Sequence, residues 1–410
     1  MDNLQTQMNE SQQQEKVREP LGMIERIISN FFRRVHTGKL EVYFPSGNIV
    51  EFGNNDNLLK ASLKINSLKF SILISVSGDL GFAESYIRGY LDTPDLTALL
   101  NLGSVNESPL SDVFQTNIIS KFVNKYLHAR NSNTRKGSSR NIAAHYDLGN
   151  DFYKLWLADT MTYSSAIFKN GQDSLKMAQR RKYMRLAKKL KLQSGERILE
   201  IGSGWGDFAE FAAQEFGCEV LTITLSEEQE AYVRYRINKM NLEDKVTVRF
   251  CDYRDVDGLF DKIVSIEMFE AVGEKFWPTY FNKLSKSLKH NGLIGLQVIT
   301  ISERYYEGYR NNPEFIQRYI FPGGMLPTSV ALEEEASKSG MEIIDSFYFG
   351  SSYAETLRRW RTKFLANWLK IEQLGFDERF RRMWIYYMSY CEVGFENKQI
   401  DVGQFIIKPM

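Results

Sequence analysis

Histidine and cysteine are scarce in this chain: four of the one (His36, His128, His145, His290) and three of the other (Cys218, Cys251, Cys391) among 410 residues. No C-x-x-C spacing occurs, which argues against a zinc site, and three thiols make no disulfide framework. No metal is therefore expected, and the thiol content fits a reducing cytoplasm. Net charge is scarce too. The 52 basic and 51 acidic residues leave +1, so no global field attracts nucleic acid and any basic patch must be local. Long apolar runs are missing; none reaches the length of a transmembrane helix. The opening MDNLQTQMNESQQQEKVREP has no apolar centre and does not read as a signal peptide. These absences predict a soluble protein, at most peripheral to the inner face of a membrane. They leave a homo-oligomer open.

What remains is a chain rich in core-forming residues, 43% hydrophobic and 13% aromatic. Residues 1–20 are polar and read as a disordered tail. LGMIERIISNFFRRV reads as a helix, and GKLEVYFPSGNIVEFG as two strands around a Pro-Ser-Gly-Asn turn. LKFSILISV reads as a further strand, LGFAESYIRGYL as a helix, and a last helix falls around 112–128. These elements predict a small α+β domain over 21–128. The basic, Ser- and Asn-rich stretch 129–141 is the expected linker, and a second domain fills 142–410.

In that second domain strands and helices alternate. RILEIG, EVLTITL, KVTVRFCD, DKIVSIEM and GLIGLQVITI are strands. DFAEFAAQEFG, ending at Gly217, SEEQEAYVRYRINKM, capped by Ser226, and YFNKLSKSLKH are helices. Such alternation means an α/β fold with a parallel sheet, whose ligands bind at the carboxyl ends of the strands. ILEIGSGWGDF places Gly202, Gly204 and Gly206 at one such end. A nicotinamide dinucleotide motif would need glycine at position 207, where Asp207 stands. The G-x-G-x-G spacing is typical of S-adenosylmethionine enzymes; the plain alternative is a tight turn with no ligand. At the next strand end, TITLSEEQ offers Thr224, Ser226 and Gln229 where an acid for ribose is usual. CDYRD brings Asp252, Tyr253 and Arg254 to the third, where an adenine could sit. SIEMFEAVGEKFW sets Glu267 and Glu270 among apolar residues, an expensive placement unless the carboxylates are paired or used.

Taken in order, HYDLGNDFYKLWL, MTYSSAIF, LEIGSGWG, LTITLSEEQ, DYRD, EMFEAVG and YIFPGGMLP resemble the cyclopropane-fatty-acid synthase family of S-adenosylmethionine-dependent lipid methyltransferases. The stretch from ERYYEGYR through LRRWRTKFLANWLK to YCEVGF resembles the C-terminal region of its plant and related bacterial members. The resemblance covers residues 141 to about 400. It implies a seven-stranded Rossmann-like methyltransferase sheet with helical insertions. It also implies cofactor contacts from Tyr163, Ser164, Gly202, Gly204, Thr224, Leu225, Ser226, Gln229 and Tyr253. Family members hold a bicarbonate ion with a cysteine, a glycine, a glutamate, a histidine and a tyrosine. Matched motif by motif, those positions are Ser165, Glu267, Glu270, Gln297 and Arg361, and the histidine that follows the glutamate is Ala271. Only Glu270 is retained. The combination EMxEAVG with a glutamine in LQxIT belongs to a branch that includes plant synthases and enzymes that methylate or methylenate acyl chains. Activity is implied; the bicarbonate set is not.

The substrate implied is an unsaturated phospholipid acyl chain. Its alkene attacks the sulfonium methyl and leaves a carbocation, which aromatic faces and a carboxylate stabilise. The carbon that then loses a proton decides between a cyclopropane and a methylene or shifted double bond. Glu270 is the expected base, and Gln297 can orient but cannot titrate. Trp277, Phe276, Tyr319, Phe321, Trp360 and Phe364 are candidates for the aromatic wall, each with an ordinary reading as core packing. Glu267 is expected to pair with Arg361. LRRWRTKFLANWLK reads either as an amphipathic core helix or as a basic membrane-surface contact, and the lipid substrate favours the second. A small-molecule N-methyltransferase and a non-catalytic lipid-binding protein are the competing functions.

Overall fold

A computed structural model describes residues 15–16, 20–54, 59–107, 134, 137–138, 148–312 and 314–410. Most of the polar tail, the helix expected around 112–128, nearly all of the expected linker and the start of HYDLGNDFYKLWL lie outside the described residues. The chain divides into two compact units, Met1–Asn117 and Ile118–Met410.

The first unit runs β1 (Glu15–Lys16), α1 (Met23–Phe32), β2 (Lys39–Tyr43), β3 (Ile49–Gly53), β4 (Lys60–Ile65), α2 (Lys69–Ile87), β5 (Leu91–Asp92) and α3 (Leu96–Val105). Its sheet has the order β1-β3-β2-β4-β5. The expected hairpin is present, with Leu40 and Val42 buried opposite Phe52 and Val50. The strand expected at LKFSILISV is not: that run begins α2, and the sheet position belongs to the preceding KASLKI. A short apolar run fits either period. Here Phe70 is buried while Ile72 is 63% exposed. Gly78 then breaks the helix at φ 52°, ψ −127°.

The second unit runs α4 (Asn150–Lys154), α5 (Leu175–Leu190), β6 (Arg197–Ile201), α6 (Asp207–Phe216), β7 (Glu219–Thr224), α7 (Glu227–Lys239), β8 (Val246–Phe250), β9 (Phe260–Ile266), α8 (Trp277–Ser287), β10 (Leu288–Ile301), α9 (Glu303–Asn311), α10 (Ser329–Lys338), β11 (Met341–Tyr348), α11 (Gly350–Ala366), α12 (Trp368–Gln373), α13 (Glu378–Glu396) and β12 (Ile400–Pro409). Seven strands form one sheet in the order β11-β12-β10-β9-β6-β7-β8. The five strands from β10 to β8 are parallel, as the alternation predicts. β12 runs antiparallel to β10, and β11 antiparallel to β12. Neither of these last strands is anticipated from the sequence. β12 has a run of six buried residues, Val402 to Ile407, and so lacks the alternation that marks a half-exposed strand. Apolar side chains of β6, β9 and β10 pack against α8 on one side, and those of β6 and β7 against α5 and α6 on the other. That leaves the carboxyl edge of the sheet to carry a site. Among the described residues no helix is long and apolar enough to cross a membrane.

Candidate active site

A cavity opens at the carboxyl edge, where β6, β7, β8 and β9 end. The turn after β6 forms one wall. Gly202 and Gly204 have φ of 94° and 48°, a region L side chains rarely adopt. They are glycine for different reasons. A Cβ on Gly202 would lie 3.0 Å from Met268 Cγ, whereas one on Gly204 would meet nothing within 4 Å. Gly202 thus makes room for the protein, and Gly204 keeps space open beside the backbone.

Thr224, Leu225 and Gln229 line the next section. The Thr224 hydroxyl donates to Gln229 Oε1 at 2.8 Å. Ser226 does not line the cavity; its hydroxyl is taken up by the α7 cap, accepting from the Gln229 amide at 3.2 Å. Tyr253 does line it, while Asp252 and Arg254 stand behind as an ion pair, with Arg254 Nε donating to Asp252 Oδ1 at 2.7 Å. The buried Tyr253 hydroxyl and Glu200 Oε2 have no partner among the described residues. Glu200, the last acid of β6, was not singled out by motif, yet it lies in the wall and burial pushes its carboxyl up to about 8.

The opposite wall holds the carboxylates. β9 ends at Ile266, and Glu267 turns the chain with φ 53°, left-handed although not glycine. Its Oε1 accepts from the Ser165 amide at 2.8 Å and from Gln297 Nε2 at 2.7 Å; its Oε2 accepts from the Tyr353 hydroxyl at 2.6 Å. Gln297 is held by its cross-strand neighbour on β12, since Gln404 Nε2 donates to Gln297 Oε1 at 3.1 Å. Lys182, fully buried on α5, donates to the Ser164 hydroxyl at 2.6 Å. Burial pushes this amine down to about 7, against the pull of Glu267 and Asp207. Burial also raises the Glu267 carboxyl, opposed by Lys182 and the three donors.

Glu270 is placed differently. Its Oε1 accepts from the Ile299 amide at 2.6 Å, and its Oε2 is buried without a partner among the described residues. The YIFPGGMLP segment reaches its backbone, with the Met325 amide donating to the Glu270 carbonyl at 2.8 Å. Glu270 is not among the cavity-lining residues, whereas Glu267 is. Burial, then the negative charge of Glu267, pushes the Glu270 carboxyl up to about 8.

A model of the mycolic acid cyclopropane synthetase family matches residues 133–405. The chain belongs to this family. The tuberculostearic acid methyltransferase UfaA1 of Mycobacterium tuberculosis is 39% identical over 341 residues, 80% of this chain and 79% of that one. The cyclopropane-fatty-acyl-phospholipid synthase of Escherichia coli K12 is 33% identical over 352 residues, 84% and 87% of the two chains. The crystal structure of mycolic acid cyclopropane synthase CmaA1 with SAH and CTAB superposes with a TM-score of 0.62 at 31% identity, over 66% of this chain and 97% of that one. This family member is accordingly an S-adenosylmethionine-dependent methyltransferase acting on lipid, with the expected Rossmann-like sheet. The open space at Gly204 and the unpartnered Glu200 and Tyr253 oxygens fit a polar cofactor at the glycine turn.

Three expectations are corrected. Glu267 does not pair with Arg361. Arg361 faces α13, where its guanidinium pairs with Glu392 and donates to the Ser389 hydroxyl at 3.1 Å. The hydroxyl that reaches Glu267 from this helix is that of Tyr353, two helical turns before Arg361. Nor is LRRWRTKFLANWLK a free basic surface. Arg358 pairs with Glu355, Glu392 and Glu396, Arg359 with Glu355, and Lys363 donates to the Leu157 carbonyl. Trp360 and Phe364 are fully buried, so this is the amphipathic core helix. Of the aromatic candidates, none is among the lining residues; Trp360 packs behind the cavity residue Tyr163, ring centroids 5.3 Å apart. Trp277 stacks on Phe269 and Phe364 on Trp384 as core. Phe276 lies under Arg254, Phe321 meets Tyr387, and Tyr319 meets Phe315. Lys182, Tyr353 and Gln404 carry no local motif. Only the three-dimensional packing reveals them.

Proposed function

We propose that this enzyme places the donor's methyl group on the double bond of an unsaturated phospholipid acyl chain and closes the product to a cyclopropane. The observation that carries the reading is Glu267. A carboxylate facing a cavity beside Tyr163, with no histidine among the described lining residues, suits an apolar substrate whose intermediate is a cation. Rings stabilise such a cation by roughly 0.5–2 kcal/mol each, and a charge in a site closed to water acts more strongly.

S-adenosylmethionine supplies an electrophilic methyl group. The chain's part is to hold it and to manage the cation. Gly202, Gly204, Thr224, Leu225, Gln229 and Tyr253 form the cradle, with Asp252 and Arg254 fixing the loop behind Tyr253. Tyr163 and Ser164 close the end nearest Glu267. Tyr163 is itself fixed, since its hydroxyl lies 3.0 Å from that of Tyr387. The lipid chemistry, rather than any basic face on α11, supports a cytoplasmic enzyme peripheral to the inner membrane face.

A second reading, methyl or methylene branching without ring closure, is favoured by the likeness to a tuberculostearic acid methyltransferase over four-fifths of both chains. Lipids from a host expressing the protein, supplied with methyl-deuterated donor, separate the outcomes. Ring protons upfield of the alkyl region with two retained deuteriums are expected. A deuterated olefinic methylene would replace the first reading by the second, and methylated amines would overturn both.

A further inference from the structure

We propose that Glu267 is the base that removes the proton from the cationic acyl chain, a resident carboxylate standing where Ser165, Gln297 and Tyr353 converge. This rests on the alkene chemistry proposed above.

The backbone gives the first reason. A left-handed conformation costs a residue with a Cβ roughly 1–2 kcal/mol, a cost glycine escapes. The chain nevertheless carries a glutamate there, at the cavity wall, with φ 53°. The second reason is the pattern of donors. An ionised carboxylate offers about four lone-pair sites. Ser165 and Gln297 use two on Oε1, and Tyr353 uses one on Oε2. One site on Oε2 is left, while three donors hold the group in a single orientation.

The third reason is the charge around it. Burial raises the Glu267 carboxyl, and Lys182 on α5 together with the three donors opposes that rise. Tyr353 on α11 is pushed well above its usual range by burial and by Glu267, so it stays a donor. Glu270, the neighbouring acid, is pushed up to about 8, by burial first and by the charge of Glu267 second. The two carboxyls differ in their donors, three on Glu267 and one on Glu270.

The step balances as follows. A C–H bond of the transferred methyl breaks. Its electron pair forms the ring bond to the cationic carbon, and the proton passes to Glu267 Oε2. After product leaves, the proton returns to water.

The test begins with the wild-type enzyme, which must turn an unsaturated phospholipid into a product heavier by one methylene. If it does not, the alkene chemistry fails, whatever the base. Given that activity, Glu267→Gln should bind S-adenosylhomocysteine with wild-type affinity and lose kcat on the order of 100-fold or more. The acid limb of its pH profile should vanish. Glu267→Gly should be comparably slow while folding well, because glycine suits this backbone. It leaves the Ser165, Gln297 and Tyr353 donors facing open space, so added formate or bicarbonate should restore turnover about tenfold or more. The wild type should ignore bicarbonate, even in degassed buffer. A Glu267→Gln enzyme with normal kcat, or a folded Glu267→Gly enzyme that no carboxylate rescues, would overturn the proposal.

Discussion

At the ends of β7 and β8 the polar groups find their partners close by in the chain. Thr224 bonds Gln229 five residues on, and Asp252 binds Arg254 two residues on. At the end of β9 the pattern is reversed. The partners of Glu267 lie 102, 30 and 86 residues away, at Ser165, Gln297 and Tyr353. One flank of the cavity is therefore a set of local turns, each nearly complete in its own segment. The other is assembled by tertiary packing of α11, β10 and the 162–166 segment around one acid.

That difference sets what the sequence can reveal. Positive-φ glycines, the Ser226 cap and the strand ends are written in short segments, and they stand where the motifs place them. Glu267 and Glu270 also stand out, because acids among apolar residues are conspicuous. Their partners do not. Tyr353 lies in an amphipathic helix like many others, and Gln404 in a strand whose partner sits 107 residues earlier. Arg361 was misplaced for the same reason. Its helix alone suggests a free cation, and only α13 shows the waiting Glu392. The LKFSILISV error is of another kind, since a short run of large apolar residues contains no information that separates a helix from a strand.

The sharpest way to break the comparison is to damage the local flank alone. Gly204→Val puts a branched side chain at φ 48°, into space the cavity needs. Donor affinity should fall on the order of 100-fold or more, since the side chain both strains the turn and fills the cradle. Calorimetry with S-adenosylhomocysteine measures it, and circular dichroism should show the fold retained. Near-normal affinity would mean the glycine turn is only a turn.

A milder change should touch only the distant flank. Gln404→Leu removes the donor that orients the Gln297 amide, which is then free to present its oxygen to Glu267. Arg185 keeps Asp345 at 2.9 Å, so the surface end of the network survives. We expect kcat to drop about tenfold with KM and donor affinity unchanged, the pattern of a lost positioning contact. A loss of donor affinity instead would show that the two flanks are not separable.

The smallest effect on turnover is expected at Glu270. If burial keeps this group neutral near pH 7, glutamine is a close substitute, and Glu270→Gln should retain kcat within about tenfold there. Its signature lies in stability. The carboxyl titrates near its usual 4.5 when unfolded and at about 8 when folded, so the native state holds the extra proton between those values. The contribution is fully present below about pH 4.5 and is lost as pH rises through 8. Glutamine has no such dependence. The variant should therefore gain on the wild type as pH is raised from 5 to 9, by on the order of 4 kcal/mol. Thermal melts of both proteins across that range give the answer. A constant difference would mean that Glu270 is ionised in the folded enzyme, and the division of roles between the two acids would have to be redrawn.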